Sequence, residues 1–470
     1  MSIFETGSNP MDYAAATRYL ISLGNEVRSS SLDLLQAAKL GLENITGLLE
    51  DLGRPQDAYP SVLIGGTNGK GSTAAMLESI ARAAGLRSAL YTSPHLVEIN
   101  ERIQVRGRTI PPEQFADLFT SLRERIERLI ASGRLQFHPT YFECLTAMGF
   151  EYFRREACEL AVLEVGMGGR LDATNTATPR VAVLTQIDFD HERFLGNTIR
   201  AIAAEKAGII KPGGVVVSAA SHPEAAAVIR VRAAEQGARL VETWREYSAG
   251  ELSSPASETG RYSLQASHAD GFRLAVELGL RGRHQVENAL AAIATARELA
   301  RMGFPIADEH IRSGLAAARW PGRLELFHDG PLVFLDGAHN PAGARALARF
   351  WEENFPDRRV VLIYGAMRDK AVPEIAEILF PKAAAVVLTR PEQFRAAAPE
   401  TVRDLAGHLN SNIVIEPDPE AALGAALAAA LPRDVIFVTG SLFLVGDIKR
   451  RCAPPWVPAP EAVTGSPANR

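Results

Sequence analysis

Short apolar runs, each followed by a helical pattern, recur along the first half of the chain. The runs at 61–64, 88–91, 160–163, 181–184 and 215–217 are almost wholly apolar, which is typical of strands buried on both faces. Helical patterns separate them at 73–84, 112–130, 140–156 and 197–210, after a helical segment at 12–52. This alternation predicts a parallel sheet covered by helices on both sides.

The pattern changes twice towards the carboxyl end. Between 262 and 280 it becomes short and alternating, which predicts a few antiparallel strands at the sheet edge before a helix over 284–302. From 332 onwards a second series of apolar strands begins, at 332–335, 360–364, 385–388, 413–415 and 435–438. A connector with its own helix spans 307–323, so we expect domains at 1–306 and 307–453. The tail 454–470, rich in proline and small residues, is predicted to be disordered.

Composition narrows the class of protein. A chain of 470 residues accommodates two large domains, and no apolar run approaches the roughly 20 residues that cross a bilayer. The start of the chain has no signal-peptide pattern, so we expect a cytoplasmic protein without membrane association. Three cysteines without Cys-x-x-Cys spacing argue against a zinc site, and a net charge of -5 argues against nucleic-acid binding.

A glycine-rich loop follows the first strand. In the segment 65–72, Gly-Gly-Thr-Asn-Gly-Lys-Gly-Ser, backbone amides and a helix start can point together at phosphate oxygens, and Lys70 can neutralise them. The spacing departs from the common G-x-x-x-x-G-K-[ST] form, and a plain glycine-rich turn is the structural alternative. We therefore predict an α/β fold: a P-loop parallel-sheet domain that binds a nucleotide phosphate, with a small antiparallel edge sheet, then a smaller Rossmann-like domain.

Polar residues follow several predicted strands, where ligands of open α/β sheets bind. In the first half, Glu164 and the group Asp188, Asp190 and His191 suit a magnesium site, although a single histidine after a strand is more often a packing residue. In the second half, Asp336 to Pro341 and Thr439 to Ser441 hold the same position, and helix capping by Asn340 and Ser441 explains them equally well. Sequence physics alone would leave Lys206 as a solvated surface charge.

Taken together, these segments resemble the dihydrofolate synthase/folylpolyglutamate synthase family of the Mur ligase superfamily. The resemblance rests on ordered motifs from Gly65 to Ser441: GTNGKGS at 66–72, YTSPHL at 91–96, NERI at 100–103, EVGMGGRLDATN at 164–175, DH at 190–191, EKAGI at 205–209, HQ at 284–285, NA at 288–289, WPGR at 320–323, DGAHNP at 336–341 and TGS at 439–441.

The resemblance implies roles for individual residues. Two Mg²⁺ sites would use Ser72, Ser93, Glu164 and His191, and Lys206 would be carbamylated to N6-carboxylysine. ATP would be held by Gly66, Thr67, Asn68, Gly69, Lys70, Gly71, Ser72, Asn288, Arg323 and Asp336. The catalytic set would be Lys70, Lys206, Asp336, His339 and Ser441. The folate or pterin group would contact Pro94, His95, Phe142, Asp172 and Ala173.

The implied activity is that of an ATP-dependent acid–amino-acid ligase. It would join L-glutamate to dihydropteroate, to a reduced folate, or to both, through an acyl phosphate, with Mg²⁺ as cofactor and only small-molecule partners. The resemblance also implies a monomer. A murein-precursor ligase is the first alternative, but it would carry a UDP-sugar domain of roughly 100 residues ahead of the loop. A non-catalytic nucleotide-binding module is the second, and it would not need the carboxylate–histidine cluster.

Overall fold

The protein divides into two compact units, Met1–Trp320 and Pro321–Arg470. The computed structural model describes residues 11–26, 41–190, 192–253 and 260–452. The predicted disordered tail and His191 therefore lie outside the described residues, as does the part of the amino-terminal helical segment at 27–40. No helix among the described residues is long and apolar enough to cross a lipid bilayer.

The first unit is built on an eight-stranded sheet with the order β4-β3-β2-β5-β1-β6-β7-β8. Strands β2 and β5 to β8 run parallel to β1, and β3 and β4 add an antiparallel edge. These strands are β1 (Ser61–Gly65), β2 (Ser88–Tyr91), β3 (Ile103–Val105), β4 (Arg108–Thr109), β5 (Leu160–Glu164), β6 (Val181–Leu184), β7 (Val215–Ser218) and β8 (Arg239–Glu242).

Helices cover both faces of this sheet, which confirms the predicted α/β class. Successive residues of β1 point to opposite sides, so Leu63 packs into one hydrophobic core and Val62 and Ile64 into another. The helices of the first unit are Tyr13–Glu26, Glu43–Asp51, Lys70–Ala83, Pro112–Ala131, Tyr141–Arg155, Glu192–Leu195, Ile199–Ala207, Pro223–Glu235, Thr243–Glu246, His284–Arg301 and Asp308–Ala317.

The antiparallel strands β9 (Tyr247–Ser253), β10 (Arg261–His268) and β11 (Arg273–Arg281) form a sheet of their own, with the order β11-β10-β9. They do not extend the edge of the main sheet. Alternate residues of β10 and β11 are buried, and these residues share a core with the helix His284–Arg301. Because one face of this small sheet packs against that helix, its three strands form a separate layer.

The second unit contains a six-stranded sheet with the order β12-β13-β17-β14-β15-β16, in which only β12 is antiparallel. This arrangement confirms the smaller Rossmann-like domain. Its strands are β12 (Glu325–Asp329), β13 (Leu332–Leu335), β14 (Val360–Tyr364), β15 (Ala385–Leu388), β16 (Ile413–Ile415) and β17 (Val435–Thr439). Its helices are Pro341–Asn354, Val372–Leu379, Pro399–Ala406, Pro419–Ala429 and Leu442–Arg451.

The division between the units falls after Trp320 rather than after residue 306. The helix Asp308–Ala317, expected in the connector, packs closely against the first unit. A Cβ on Gly314 would lie 2.5 Å from the Cα of Ile80, and one on Gly279 would lie 2.5 Å from the carbonyl oxygen of Ala316. Only glycines permit these approaches, so the helix belongs to the first unit.

Candidate active site

The carboxyl ends of β2, β5, β1 and β6 lie side by side, and the predicted loop leaves the middle of this row. The chain turns after β1 through Gly66 and Gly69, which have φ values of 142° and 91°, and then enters the helix Lys70–Ala83. The first N–H groups of a helix have no partner within it, so those of this helix face the loop. This geometry suits a bound phosphate chain.

Neighbouring residues explain why the loop needs glycine at three positions. A Cβ on Gly66 would lie 1.9 Å from Thr185 Oγ1, and one on Gly69 would lie 2.2 Å from Asn288 Oδ1. A Cβ on Gly71 would lie 2.8 Å from the indole Nε1 of Trp320. The loop is thus enclosed by three side chains, of which only Asn288 is among the predicted site residues.

Two lysines meet at one backbone oxygen of the loop. Lys70 Nζ donates to the carbonyl oxygens of Gly66 and Thr67, each at 3.1 Å, and Lys206 Nζ donates to Gly66 O at 2.8 Å. Lys206 is only 5% exposed, so it is not the solvated charge that its helix position alone suggests. Burial, followed by the charge of Lys70, lowers the pKa of Lys206 to about 7, against the opposing effect of Asp190.

Glu164 ends β5 and is buried beside the loop that follows β2. Its Oε2 accepts a hydrogen bond from the backbone N–H of Ser93 at 3.0 Å, so two predicted metal ligands are in contact. Ser72 lies in the first turn of the phosphate-loop helix, where its Oγ receives Gln285 Nε2 at 3.3 Å. Among the described residues no cluster of three or more His, Cys, Asp or Glu could hold a metal. The predicted set contains one carboxylate and two hydroxyls besides His191, so such a cluster was not expected.

The helix His284–Arg301 contributes a short hydrogen-bonded chain to the loop. Asn288 Nδ2 donates to Gln285 Oε1 at 2.9 Å, and Gln285 in turn donates to Ser72. Gln285 was part of a recognised motif but had no assigned role. Its signal in the sequence was its place one turn before Asn288 on the same helix face.

The predicted pterin residues Phe142 and Asp172 both contact Gly166. A Cβ on Gly166 would lie 2.6 Å from Phe142 Cζ and 3.2 Å from Asp172 Oδ2. The Asp172 carboxylate accepts hydrogen bonds from the N–H groups of Gly166, Met167 and Thr174, each at 3.0 Å, and from Thr174 Oγ1 at 2.5 Å. Asp172 therefore orders the loop after β5, next to the buried Ala173.

His95 lies in the loop after β2, just beyond the exposed Pro94, and is fixed by a residue that the sequence analysis did not single out. Arg102 Nε donates to His95 Nδ1 at 3.1 Å, and the Arg102 guanidinium lies 5.4 Å from the ring centre of Tyr141. Burial and then the Arg102 charge lower the pKa of His95 to about 3, so this imidazole is neutral near pH 7. Since Nδ1 accepts, Nε2 carries the hydrogen and is a donor.

In the second unit, Asp336 and His339 follow β13 and Ser441 follows β17, and Arg323, which precedes β12, lies against the turn after β13. The Asp336 carboxylate accepts the N–H groups of Leu324 and Ala338, each at 2.9 Å. A Cβ on Gly337 would lie 2.3 Å from Arg323 Nη1, so this guanidinium lies against the turn. His339 Nδ1 lies 2.8 Å from the carbonyl oxygen of Gly337 and must donate to it, so in the neutral form of the ring the lone pair is on Nε2.

Asn340 and Ser441 also cap helices at these turns, which is the alternative explanation that the sequence left open for them. Asn340 Oδ1 accepts from Gly343 N at 2.8 Å, and Ser441 Oγ accepts from Phe443 N at 3.1 Å. Each residue begins a helix at the carboxyl edge of the sheet, so capping holds Ser441 in the position expected of a ligand contact.

Comparison with known proteins agrees with this geometry. The chain matches the Mur ligase middle domain over residues 134–296 and the Mur ligase glutamate ligase domain over residues 322–442. It is 34% identical over 417 residues to the dihydrofolate synthase/folylpolyglutamate synthase of Bacillus subtilis, covering 88% of this chain and 95% of that protein.

Solved structures are similar over nearly the whole chain. Mycobacterium tuberculosis folylpolyglutamate synthase complexed with ADP superposes with a TM-score of 0.84 at 32% identity, covering 93% of this chain and 98% of that one. Escherichia coli FolC in complex with DHPP and ADP gives a TM-score of 0.81 at 30% identity, covering 94% and 98%. The similarity thus extends through both units.

Proposed function

The chain belongs to the dihydrofolate synthase/folylpolyglutamate synthase family of Mur ligases and is an ATP-dependent ligase; we propose that it joins L-glutamate to dihydropteroate and to reduced folates. The observation that carries this proposal is the meeting of Lys70 and Lys206 at the Gly66 carbonyl, which follows β1, while the buried Glu164 ends the neighbouring strand β5. A cationic phosphate loop next to a hard oxygen ligand is what transfer of a phosphoryl group to a carboxylate requires.

The reaction has two steps. A carboxylate oxygen of the folate acid attacks the γ-phosphorus, the bond to the β,γ-bridging oxygen breaks, and ADP leaves. The amino group of glutamate then attacks the acyl carbon, loses a proton, and phosphate leaves with the former acid oxygen. The loop N–H groups and Lys70 would offset the charge on the transferred group.

The residues present fit Mg²⁺. Magnesium is usually held through one or two carboxylates and substrate phosphates while keeping several waters. Glu164 would supply the carboxylate, and Ser72 and Ser93 would supply hydroxyls, together with His191. The ion would offset negative charge on the phosphates and the acid during transfer.

We assign carbamylation to Lys206. Two ammonium groups at one carbonyl oxygen repel each other, and a pKa near 7 leaves much of the Lys206 amine neutral at physiological pH. A neutral amine can add to CO₂, and the resulting carbamate would replace repulsion by Lys70 with attraction. The carbamate would also place anionic oxygens beside the proposed metal ligands.

The residues of the second unit are proposed to serve the nucleotide and the glutamate. Asp336 and Arg323 would contact ATP together with Asn288. The neutral form of His339 could take, at Nε2, the proton that the attacking amine loses. Ser441, at the start of its helix, would contact glutamate through its hydroxyl and the neighbouring backbone N–H groups.

Pro94, His95, Phe142, Asp172 and Ala173 are proposed to hold the pterin acid. The side chains of Phe142 and Asp172 meet at Gly166, and Tyr141 links Phe142 to the Arg102–His95 pair. The Nε2–H of His95 would donate to an acceptor atom of the substrate. A monomeric, cytoplasmic enzyme is the state we expect.

Product masses test the proposal directly. The protein would be incubated with ATP, Mg²⁺ and L-glutamate, and with either dihydropteroate or a reduced folate, and each product would be identified by mass spectrometry. We expect one added glutamate on each acid, with one ADP released per bond. ADP release that does not depend on L-glutamate and on a folate acid would refute the proposed reaction.

A further inference from the structure

The loop that follows β5 packs tightly against the end of the helix Ile199–Ala207. A Cβ on Gly208, the residue directly after this helix, would lie 2.4 Å from the Cβ of Arg170. A Cβ on Gly169 would lie 2.9 Å from the carbonyl oxygen of Lys206. Because only glycine permits such close approaches, the loop fits directly against the turn of helix that carries Lys206.

The same loop donates hydrogen bonds to the end of the helix, where carbonyl oxygens lack their regular helical partners. The Arg170 backbone N–H donates to Glu205 O at 2.9 Å. The side-chain Nδ2 of Asn175 donates to Gly208 O at 3.2 Å and to Arg170 O at 3.0 Å. One side-chain amide therefore joins the loop to the helix end.

Asn175 is itself held firmly in the loop. It is 6% exposed, its backbone N–H donates to Asp172 O at 2.8 Å, and its carbonyl oxygen accepts Lys211 Nζ at 2.8 Å. The orientation of its side-chain amide is also determined, because the opposite orientation would turn an oxygen towards two carbonyl oxygens. Asn175 is thus a fixed double donor.

The position of the Lys206 amine depends on this end of the helix. Lys206 is the residue before the last of the helix, and its Nζ donates to Gly66 O at 2.8 Å. Ile202 and Ala203 pack the helix into the core, but apolar packing is not directional. The hydrogen bonds at the helix end are directional, and a shift of about 1 Å there would take the Lys206 bond outside the normal range.

We propose that Asn175 is a positioning residue for Lys206. The inference rests on the proposed function, in which Lys206 carries a carbamate beside the metal ligands. The side-chain hydrogen bonds of Asn175 go to Arg170 and Gly208, so it acts through the helix end from which Lys206 extends. Its contribution belongs to phosphoryl transfer rather than to the binding of either substrate.

Asn175→Leu tests the proposal, because it removes both donors with little change in side-chain size. We expect kcat to fall about tenfold, as is typical when a residue that orients a metal-site group is lost. The KM values for ATP and for the folate acid should not change, because the Asp172 carboxylate keeps its three backbone N–H donors. Asn175→Ser, whose hydroxyl can still donate to one carbonyl, should retain more of the kcat.

A ¹³C NMR spectrum in ¹³C-bicarbonate gives a second measurement that does not depend on turnover. The carbamate signal of Asn175→Leu should be weaker than that of the wild type, because a displaced Lys206 carbamate loses the attraction of Lys70. Asn175→Ser should give an intermediate signal. Thermal unfolding of both variants would establish that they are folded.

Thr176→Val is the matched control in the same loop. The Thr176 hydroxyl donates to Ala173 O at 2.7 Å, so this hydrogen bond stays within the loop. Its kcat, KM values and carbamate signal should equal those of the wild type.

Three results would overturn the inference. They are an equal loss of kcat in Thr176→Val and Asn175→Leu, a higher KM for the folate acid in Asn175→Leu with an unchanged kcat, and a carbamate signal of wild-type strength in Asn175→Leu. A wild type without any carbamate would refute the proposed modification, and the kcat of the variants would still decide the role of Asn175.

Discussion

At the scale of single residues, the side-chain amines of Lys70 and Lys206 donate to the same carbonyl oxygen of the phosphate loop, that of Gly66. The glycines and Lys70 were predictable because their spacing between a strand and a helix has few other uses. Thr185 was not, because it reaches the loop from a distant part of the chain and is chemically ordinary. Gln285 and Trp320 lay in recognised motifs, but nothing in the sequence assigned them a contact with the loop. The role of Lys206 could not be predicted from its place on a helix, because its pKa is lowered only by the burial and the neighbouring Lys70 charge that the fold creates.

The carbamate proposed on Lys206 predicts a pH dependence. CO₂ adds only to the neutral amine, so the carbamate should form above pH 7 and be lost as the pH falls through 7. In ¹³C-bicarbonate the wild type should show a carbamate signal by NMR at pH 8 and not at pH 6. Lys206→Ala should remove the signal and lower ligase activity about 10- to 100-fold, with partial recovery in acetate.

Lys211 supplies the control for that experiment. Burial lowers its pKa too, and its Nζ donates to Asn175 O at 2.8 Å, away from the phosphate loop. Lys211→Arg should therefore keep the carbamate signal. A signal that persists in Lys206→Ala and disappears in Lys211→Arg would mean that Lys211, and not Lys206, carries the carbamate.

The low pKa of Lys206 also predicts how stability depends on pH. In CO₂-free buffer, the free energy of unfolding of the unmodified protein should increase as the pH rises from about 7 towards 10.5. In this range the Lys206 amine is neutral in the folded protein, and unfolding restores its ordinary pKa, so that it binds a proton.

Among elements, the central strands and most helices were predicted, whereas the helix Pro223–Glu235 and most of the outer strands were not. Strands β3, β4, β8, β9 and β12 were missing from the prediction, and all lie at or next to a sheet edge. The last three residues of β12 are partly or fully exposed, and exposed positions do not require apolar side chains. The sequence of β12 therefore lacks the apolar run from which the other strands were predicted. Partner strands, rather than local sequence, determine these segments.

The helix His284–Arg301 is predicted to support the phosphate loop through its side chains. Gln285→Leu keeps the side chain near its present size and removes the donor to Ser72 Oγ. We expect the KM for ATP to rise about tenfold, because the hydroxyl loses the group that orients it. Steady-state kinetics with varied ATP would measure the change.

Thr295→Val makes a comparable test of the same helix away from the loop. The Thr295 hydroxyl is buried and donates to Ala291 O within the helix at 2.7 Å. This variant should leave the KM for ATP unchanged. Equal KM values in Gln285→Leu and the wild type would mean that the Gln285 contact does not support nucleotide binding.

At the scale of the whole molecule, each unit has a hydrophobic core of its own. In the second unit Phe437 stacks on Phe334 at a centroid distance of 5.1 Å and packs against Trp351 at the same distance. Phe437→Ala should lower the free energy of unfolding of this unit by about 3–5 kcal/mol. Urea unfolding followed by circular dichroism would measure it.

A matched change at the surface distinguishes core packing from a general effect of truncation. Leu431 is 53% exposed in the same unit, and Leu431→Ala should change the unfolding free energy by less than about 0.5 kcal/mol. Similar losses in the two variants would mean that Phe437 does not anchor a core.

The position of the boundary after Trp320 has a consequence for how genes of this family can be recombined. The helix Asp308–Ala317 and Trp320 look like part of the connector in sequence, yet they contact Ile80 and Gly71 in the first unit. A chimera joined near residue 306 would import a foreign helix against the phosphate-loop helix. A crossover at 320–321 would exchange the second unit while keeping the native neighbours of the loop.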